Sequence, residues 1–288
     1  MSILVTGATG TIGTDVLRLF DQERRMEVKA LIRNAEKAAL VSDHGAEPVI
    51  GAFEDRQSLD SALQGVATVV LLTPAGPQAE EQASNVIEAA IAAGAQKIVR
   101  ISAIKADPDG PTNNTRAHGS TEAEIAQSGL RHVFLRPNLF MQNMFIAADQ
   151  IRQKAQFSFA TGYGKMGMID ARDIAACAVE CALSDFDGQT LELTGPEVIS
   201  YFDVAGVMST LLGKPISYAP VPPEDMYAAI EGAGWGQWMA ALAQDYGQAY
   251  ASGWGAFTSS NVQKITGKAP RSFRDFASEV FLPTLKTC

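Results

Sequence analysis

The stretch ILVTGATGTIG, residues 3–13, decides how the rest of the chain is read. Three aliphatic residues and a threonine run into a Gly-rich turn, and the turn opens what reads as a helix. Gly7, Gly10 and Gly13 fall at G-x-x-G-x-x-G spacing. Glycines at such positions permit a tight turn, a close backbone approach to a pyrophosphate and close packing of helix on strand, while the helix N-terminus offers unpaired N–H groups to the anion. The strand-turn-helix context turns a weak pattern into a strong one. The alternative, a turn with only a structural role, is the less favoured reading.

Outward from this stretch, EVKALIR (27–33), AEPVIG (46–51), ATVVLLT (67–73), KIVRIS (97–102) and RHVFLRP (131–137) are further short aliphatic or β-branched runs. They recur at intervals of about 20 to 30 residues, with helical segments between them. AEEQASNVIEAAIAAGAQ (79–96) is the clearest helix, stopped by Gly94. The alternation predicts an α/β fold, a doubly wound parallel sheet of Rossmann-like type. Residues 1–150 are expected to form the dinucleotide-binding domain, and residues 151–288 a smaller, mainly helical substrate lobe interleaved with the sheet. Within the lobe, MIDARDIAACAVECAL (168–183) reads as strand then helix, QTLELTG (189–195) as a strand, and three later segments, 200–214, 223–234 and 236–253, as helices.

Composition narrows the partners. The 288 residues are 47% hydrophobic and 19% charged, and the formal net charge of −9 argues against nucleic acid, whose phosphate backbone demands clustered Lys and Arg. Neither nucleic acid nor membrane is an expected partner, and the oligomeric state is left as monomer or homodimer. Three cysteines make no disulfide framework, and the first residues run straight into a strand rather than a leader, so a reduced, cytoplasmic setting is expected. Cys177 and Cys181 could share a helix face, but no further Cys or His lies nearby to complete a metal site, so packing is favoured and no metal is expected. Nucleophile elbow, His-Glu-x-x-His and Walker A patterns are all missing from the sequence.

The second strand sets the flavour of the dinucleotide. An acidic residue at its end favours NAD, whereas Arg accommodates a 2′-phosphate. Here the strand ends on Arg33, followed by Asn34 and, one turn on, Lys37, which favours NADP over NAD. A solvated charge at a strand end is the plainer alternative.

Taken together, VTGATGTIG, ALIRN, GAFEDRQSL, the HGSTE helix, FLRPNLFMQNMF and the late NVQKITGKAPRSFRDFASE resemble the NmrA-like atypical short-chain dehydrogenase family over nearly the whole chain. That family includes bacterial NADPH-dependent quinone reductases and triphenylmethane dye reductases. The resemblance implies that Gly7, Thr9, Gly10, Thr11, Ile12, Gly13 and Arg33 hold the pyrophosphate and adenosine. It further implies Ala52 and Phe53 near the adenine, Leu72, Thr73 and Pro74 near the adenosine ribose, and Pro137, Asn138, Leu139 and Phe140 near the nicotinamide. One departure is that a family-typical Gly-Asp after the third strand is Gly51-Ala52 here.

A short-chain dehydrogenase would carry Tyr-x-x-x-Lys where this chain has His118 and Glu122, and the resemblance makes His-x-x-x-Glu normal at that position. Four residues apart on a helix, the two can meet. A carboxylate beside an imidazole favours its protonated form, so His118 is expected to act as an acid, with Glu122 also able to accept ribose hydroxyls. The alternative is a solvated helix-face pair. Ser102, at the carboxyl end of a parallel strand, is a third catalytic and cofactor candidate, with turn capping as the alternative.

On the substrate side, Phe140, Met141, Met144 and Phe145 fall at helical spacing, and Tyr163, Trp235 and Trp238 belong to an aromatic-rich later lobe read as a mobile lid over an aromatic ligand. The reading that unites these residues is an NADPH-dependent reductase passing hydride to a quinone or another conjugated aromatic molecule. A redox tailoring enzyme of aromatic natural products and a non-enzymatic NADP-sensing regulator are the alternatives.

Overall fold

The computed structural model describes residues 2–23 and 26–287. The strands, in chain order, are β1 (Ser2–Val5), β2 (Glu27–Ile32), β3 (Glu47–Ile50), β4 (Thr68–Leu71), β5 (Lys97–Ile101), β6 (Arg131–Pro137), β7 (Gln156–Phe157), β8 (Lys165–Met166), β9 (Gln189–Leu193), β10 (Ile199–Ser200) and β11 (Ser217–Tyr218). The principal helices are α1 (Thr11–Glu23), α2 (Ala38–Ser42), α3 (Arg56–Ala62), α4 (Ala79–Ala92), α5 (Asn113–Gln127), α6 (Ala148–Lys154), α7 (Ala171–Leu183), α8 (Tyr201–Leu212), α9 (Pro223–Gly232) and α10 (Gln237–Ala251). Among the described residues no helix is long and apolar enough to cross a membrane.

Seven strands form one sheet in the order β3-β2-β1-β4-β5-β6-β9. All five pairings from β3 across to β6 are parallel. β9 lies beyond β6, where the Gly188 N–H donates to the His132 carbonyl (2.7 Å). The central strands β1, β4 and β5 are buried along their whole length, as parallel strands covered on both faces must be, and this is why they read as mainly aliphatic runs. β1 pairs with β2 on one side and β4 on the other, so the strand order reverses there. The carboxyl ends of strands at such a reversal are where doubly wound sheets place ligands.

Two compact units divide the chain: Met1–Asp109, Thr115–Arg136 and Ile174–Leu191 form the first, and Gly110–Asn114, Pro137–Asp173 and Glu192–Cys288 the second. In the first, one face of the sheet is covered by α3 and α4 through a cluster that includes Leu4, Leu59, Val69, Val86 and Ile98. α3 is started by Asp55, whose side chain accepts from the Gln57 and Ser58 N–H groups, and α4 is followed by Gly94 in the left-handed region (φ +74°). Cys177 and Cys181 are both buried and neither is in a disulfide.

The second unit is built around Met141, Met144, Phe157, Met166, Tyr201, Tyr218, Tyr250, Phe273 and Phe276. Phe159 stacks on Tyr201 with ring centroids 4.5 Å apart. α8 begins with a capping box between Ser200 and Asp203 and ends at Gly213 (φ +64°). The segment expected to place Phe140, Met141, Met144 and Phe145 at α-helical spacing instead forms a 3₁₀ helix, Met141–Ala147. With three residues per turn, Met141, Met144 and Ala147 share the inward face and Phe145 turns outward.

Candidate functional site

The turn after β1 is shaped by its glycines. Gly7 has φ +58°, and a Cβ there would lie 3.0 Å from the Leu72 Cβ. Thr6 ties the ends of β1 and β4 together, its hydroxyl donating to the Leu72 carbonyl (2.7 Å) and accepting from the Leu72 N–H (2.9 Å). Gly10 N–H bonds Gly7 O (3.0 Å), and the helical bonding of α1 begins with Thr14 N–H to Gly10 O (2.9 Å). A Cβ on Gly13 would stand 2.2 Å from Gly7 O, so only glycine lets α1 come this close to the strand end. The N–H groups of Thr11, Ile12 and Gly13 precede the first helical bonds and project from the helix end. Gly10 and Thr11 are exposed, Thr9 is partly exposed, and Ile12 is buried. A glycine cradle that a Cβ would fill, at a positive helix end, fits a pyrophosphate.

Around the cradle, Arg33, Asn34 and Lys37 are exposed just beyond β2. Among the described residues the Arg33 guanidinium has no hydrogen-bond or ion-pair partner. The loop after β3 is held by its own bonds: Ala52 N–H to Ser58 Oγ (3.1 Å) and Asn85 Nδ2 to Phe53 O (2.9 Å). The Phe53 ring is only 6% exposed and belongs to the core under α3 and α4, so what this loop offers a ligand is backbone and the Ala52 surface rather than an aromatic face. Leu72 and Thr73 are partly exposed and Pro74 exposed.

A second group gathers at the carboxyl end of β5. Gly119 lets α5 press onto the preceding loop, since a Cβ there would lie 2.2 Å from the Asp107 carbonyl carbon. That contact sets the position of the helix carrying His118 and Glu122. Ser102 Oγ donates to Glu122 Oε1 (2.5 Å), and Arg136 on β6 grips the same carboxylate through Nε (3.0 Å) and Nη2 (2.5 Å). His118 meets a different residue: Arg100 Nη2 lies 3.2 Å from its Nδ1 and 3.0 Å from Thr73 Oγ1. The structure thus brings Ser102 directly to Glu122, which Arg136 anchors, and His118 to Thr73 through Arg100; the sequence reading passed over both arginines.

This corrects the expected coupling of His118 to Glu122. The carboxylate is occupied by Ser102 and Arg136, and the group against the imidazole is a cation. Burial, with Arg100 beside it, holds His118 well below the ordinary imidazole value, although the residue as a whole is partly exposed. His118 is therefore neutral near pH 7, not an acid biased by a carboxylate. Arg100 itself is pushed down to about 10 by burial, partly offset by Glu122, and keeps its charge.

The remaining candidates lie in the second unit. Pro137 is buried, and Leu139 and Phe140 are partly exposed. The Asn138 side chain is buried and engaged within the fold: it donates to Gly255 O (3.0 Å) and its oxygen accepts from Leu139 N–H (2.7 Å) and Tyr250 Oη (3.0 Å), the bonds of a structural clamp. Met144 is fully buried in the aromatic and methionine core, which removes it from the substrate candidates. Tyr163 is 81% exposed and stacks on Phe202, Trp235 is 54% exposed, and Trp238 is partly exposed. Among the described residues no cluster of His, Cys, Asp or Glu is arranged to hold a metal.

The parallel sheet with its reversal at β1 and the glycine cradle beside it define a Rossmann-like dinucleotide-binding protein. Residues 7–185 match the NAD(P)H-binding family model, and the chain belongs to that family. It is 36% identical over 279 residues to the NAD(P)H azoreductase of Xenophilus azovorans, covering 96% of each chain. The crystal structure of the NADPH-dependent quinone oxidoreductase QOR2 of Escherichia coli, complexed with NADPH, superimposes with a TM-score of 0.87 at 27% identity, over 97% of this chain and 99% of that one. Citrobacter sp. triphenylmethane reductase shares the fold, with a TM-score of 0.85 at 23% identity over 98% of this chain and 100% of that one.

Proposed function

We propose that this protein is an NADPH-dependent reductase that passes hydride to a quinone or another conjugated aromatic acceptor. The observation that carries the reading is the Gly7–Gly13 cradle at the start of α1, in a chain alike from end to end to an NAD(P)H azoreductase. NADPH, when bound, supplies the hydride. The Thr11, Ile12 and Gly13 N–H groups would hold the pyrophosphate. Arg33, with Lys37 a turn away, would pair the 2′-phosphate, which is why NADPH is favoured over NADH. Leu72, Thr73 and Pro74 would border the ribose, Ala52 the adenine, and Pro137, Leu139 and Phe140 the nicotinamide.

His118 and Ser102 are the residues proposed to serve the reaction, with Glu122 orienting Ser102 and anchored in turn by Arg136. Phe140, Tyr163, Trp235 and Trp238 are the proposed aromatic contacts of the acceptor, offering flat apolar faces with polar tips. The proposed setting is the reducing cytoplasm, where Cys177 and Cys181 stay as thiols.

Steady-state oxidation of NADPH by the purified protein, measured across a panel of benzoquinones, naphthoquinones, azo compounds and triphenylmethane dyes, tests this. Turnover with at least one class is expected. Cofactor binding without turnover of any would overturn the proposal and favour a sensor.

A further inference from the structure

Arg100 is an unusual residue for the middle of a covered parallel sheet. It is 1% exposed, and its neighbours Ile98, Val99 and Ile101 are aliphatic. Its guanidinium donates to the Leu71 carbonyl (3.3 Å) and to Thr73 Oγ1 (3.0 Å) and meets His118 Nδ1 (3.2 Å), all of them uncharged groups, while its Nε–H has no partner among the described residues. Glu122 is paired with Arg136 and bonded by Ser102, and acts on Arg100 only through space. A buried cation without a bound carboxylate and with one N–H unmatched costs stability, where an aliphatic side chain would cost none. Packing therefore does not account for Arg100. Its contact with His118 does.

We propose that Arg100 is a positioning residue that fixes His118 as a neutral imidazole carrying its proton on Nε2, so that His118 serves as a hydrogen-bond donor to the reducible group and not as a proton-transferring acid. A guanidinium has five N–H donors and no acceptor, so its approach to Nδ1 requires a lone pair there. An Nδ1–H ring or an imidazolium would set N–H against N–H. The adjacent positive charge disfavours the imidazolium a second time. What remains is Nε2–H, for which the described residues supply no acceptor. A neutral imidazole in this form can polarise a carbonyl, and its bond strengthens as negative charge grows on the oxygen. The acceptor gains hydride and then one proton from water, and His118 keeps its own proton throughout.

The second half of this inference rests on the proposed reductase function, and the first does not, so the two are tested separately. The chain has three histidines, His44, His118 and His132, so ¹⁵N-histidine NMR of the cofactor-free protein is tractable, with His118→Gln assigning the signal. A neutral ring protonated on Nε2 is expected from about pH 8 down through the ordinary imidazole midpoint of about 6.5. In Arg100→Met the titration should move upward but stay below the ordinary imidazole midpoint, because burial still opposes the charged ring. An Nδ1–H ring, or an imidazolium at about pH 6.5, in the wild type would overturn the proposal whether or not the variant folds. For the donor role, His118→Ala should lower kcat by roughly 10² to 10³, the scale for one lost oxyanion donor. His118→Gln, which keeps an N–H but cannot act as an acid, should stay within about tenfold of wild type. If Gln is as damaging as Ala, the donor role is refuted even with the ring found neutral. Absence of turnover with every acceptor would instead refute the reductase reading and leave the NMR result to decide the tautomer.

Discussion

Gly13→Ala probes the cradle most sharply. The added Cβ would sit 2.2 Å from Gly7 O, 2.8 Å from Ala8 Cα and 2.9 Å from the Ala8 carbonyl carbon, all backbone atoms that no rotamer change can move. Relief requires the helix start and the turn to separate by roughly 1 Å, and overpacking of this kind costs about 1–3 kcal/mol of stability. A loss of that size lowers the unfolding temperature by about 2–4 °C for each kcal/mol. The same displacement moves the Thr11 and Ile12 N–H groups away from the pyrophosphate. Each charge-assisted bond lost is worth about 1.5–3 kcal/mol, so NADPH affinity should fall by roughly 10². Fluorescence titration with NADPH and thermal unfolding measure the two effects. Gly94→Ala is the control: its φ is +74° but nothing lies within 4 Å, and it stands before the amino end of β5. It should cost about 1–2 kcal/mol of stability with affinity unchanged. A Gly13→Ala protein that binds NADPH within about twofold of wild type and melts at the same temperature would refute the described packing.

Three further outcomes are expected. Arg33→Ala should narrow the preference for NADPH over NADH by about tenfold or more, the loss of one charge-assisted contact, as read by competitive titration; equal affinities in the wild type would sink the assignment. Because the folded pKa of His118 lies below its unfolded value, both states are uncharged there at high pH and the unfolded chain alone takes up a proton as pH falls below about 6.5, so His118 erodes stability in acid by up to about 1.4 kcal/mol per pH unit. His118→Gln should flatten the pH 6.5 to 5 limb of denaturant-derived stability, and an unchanged limb would contradict the neutral ring. Cys177 and Cys181 should resist thiol reagents until the protein unfolds, since both are buried and burial pushes Cys181 up to about 12; rapid labelling of either in the native state would contradict their placement.

Much of the sheet was legible because covered parallel strands need mainly apolar runs, and all six runs from SILVTG to RHVFLRP became strands. The cradle was legible because glycine spacing reports backbone approach directly. What the runs concealed were their charges. KIVRIS reads as aliphatic, yet Lys97 and Arg100 are both buried in it, Lys97 against Asp187 (2.8 Å) and Arg100 against His118. A charged residue inside an otherwise covered strand was the available signal. The His118 and Glu122 spacing placed both on one helix, but partners from β5 and β6 divided them, which no i,i+4 argument can foresee. Met144 misled for a related reason: side-chain type fixes what a residue can bind, and packing decides whether it is left to do so.

Single-turnover mixing reads hydride transfer from bound NADPH to a quinone without intervening steps. NADPH-saturated protein would be mixed with an excess of benzoquinone, and cofactor absorbance followed beside a protein-free control, using both NADPH and NADPH deuterated at C4. Bound NADPH is expected to be consumed to completion, faster than in the control, with deuterium at the transferred position slowing the loss. Bound NADPH that persists, or that decays at the protein-free rate with no isotope effect of its own, would contradict the reductase reading.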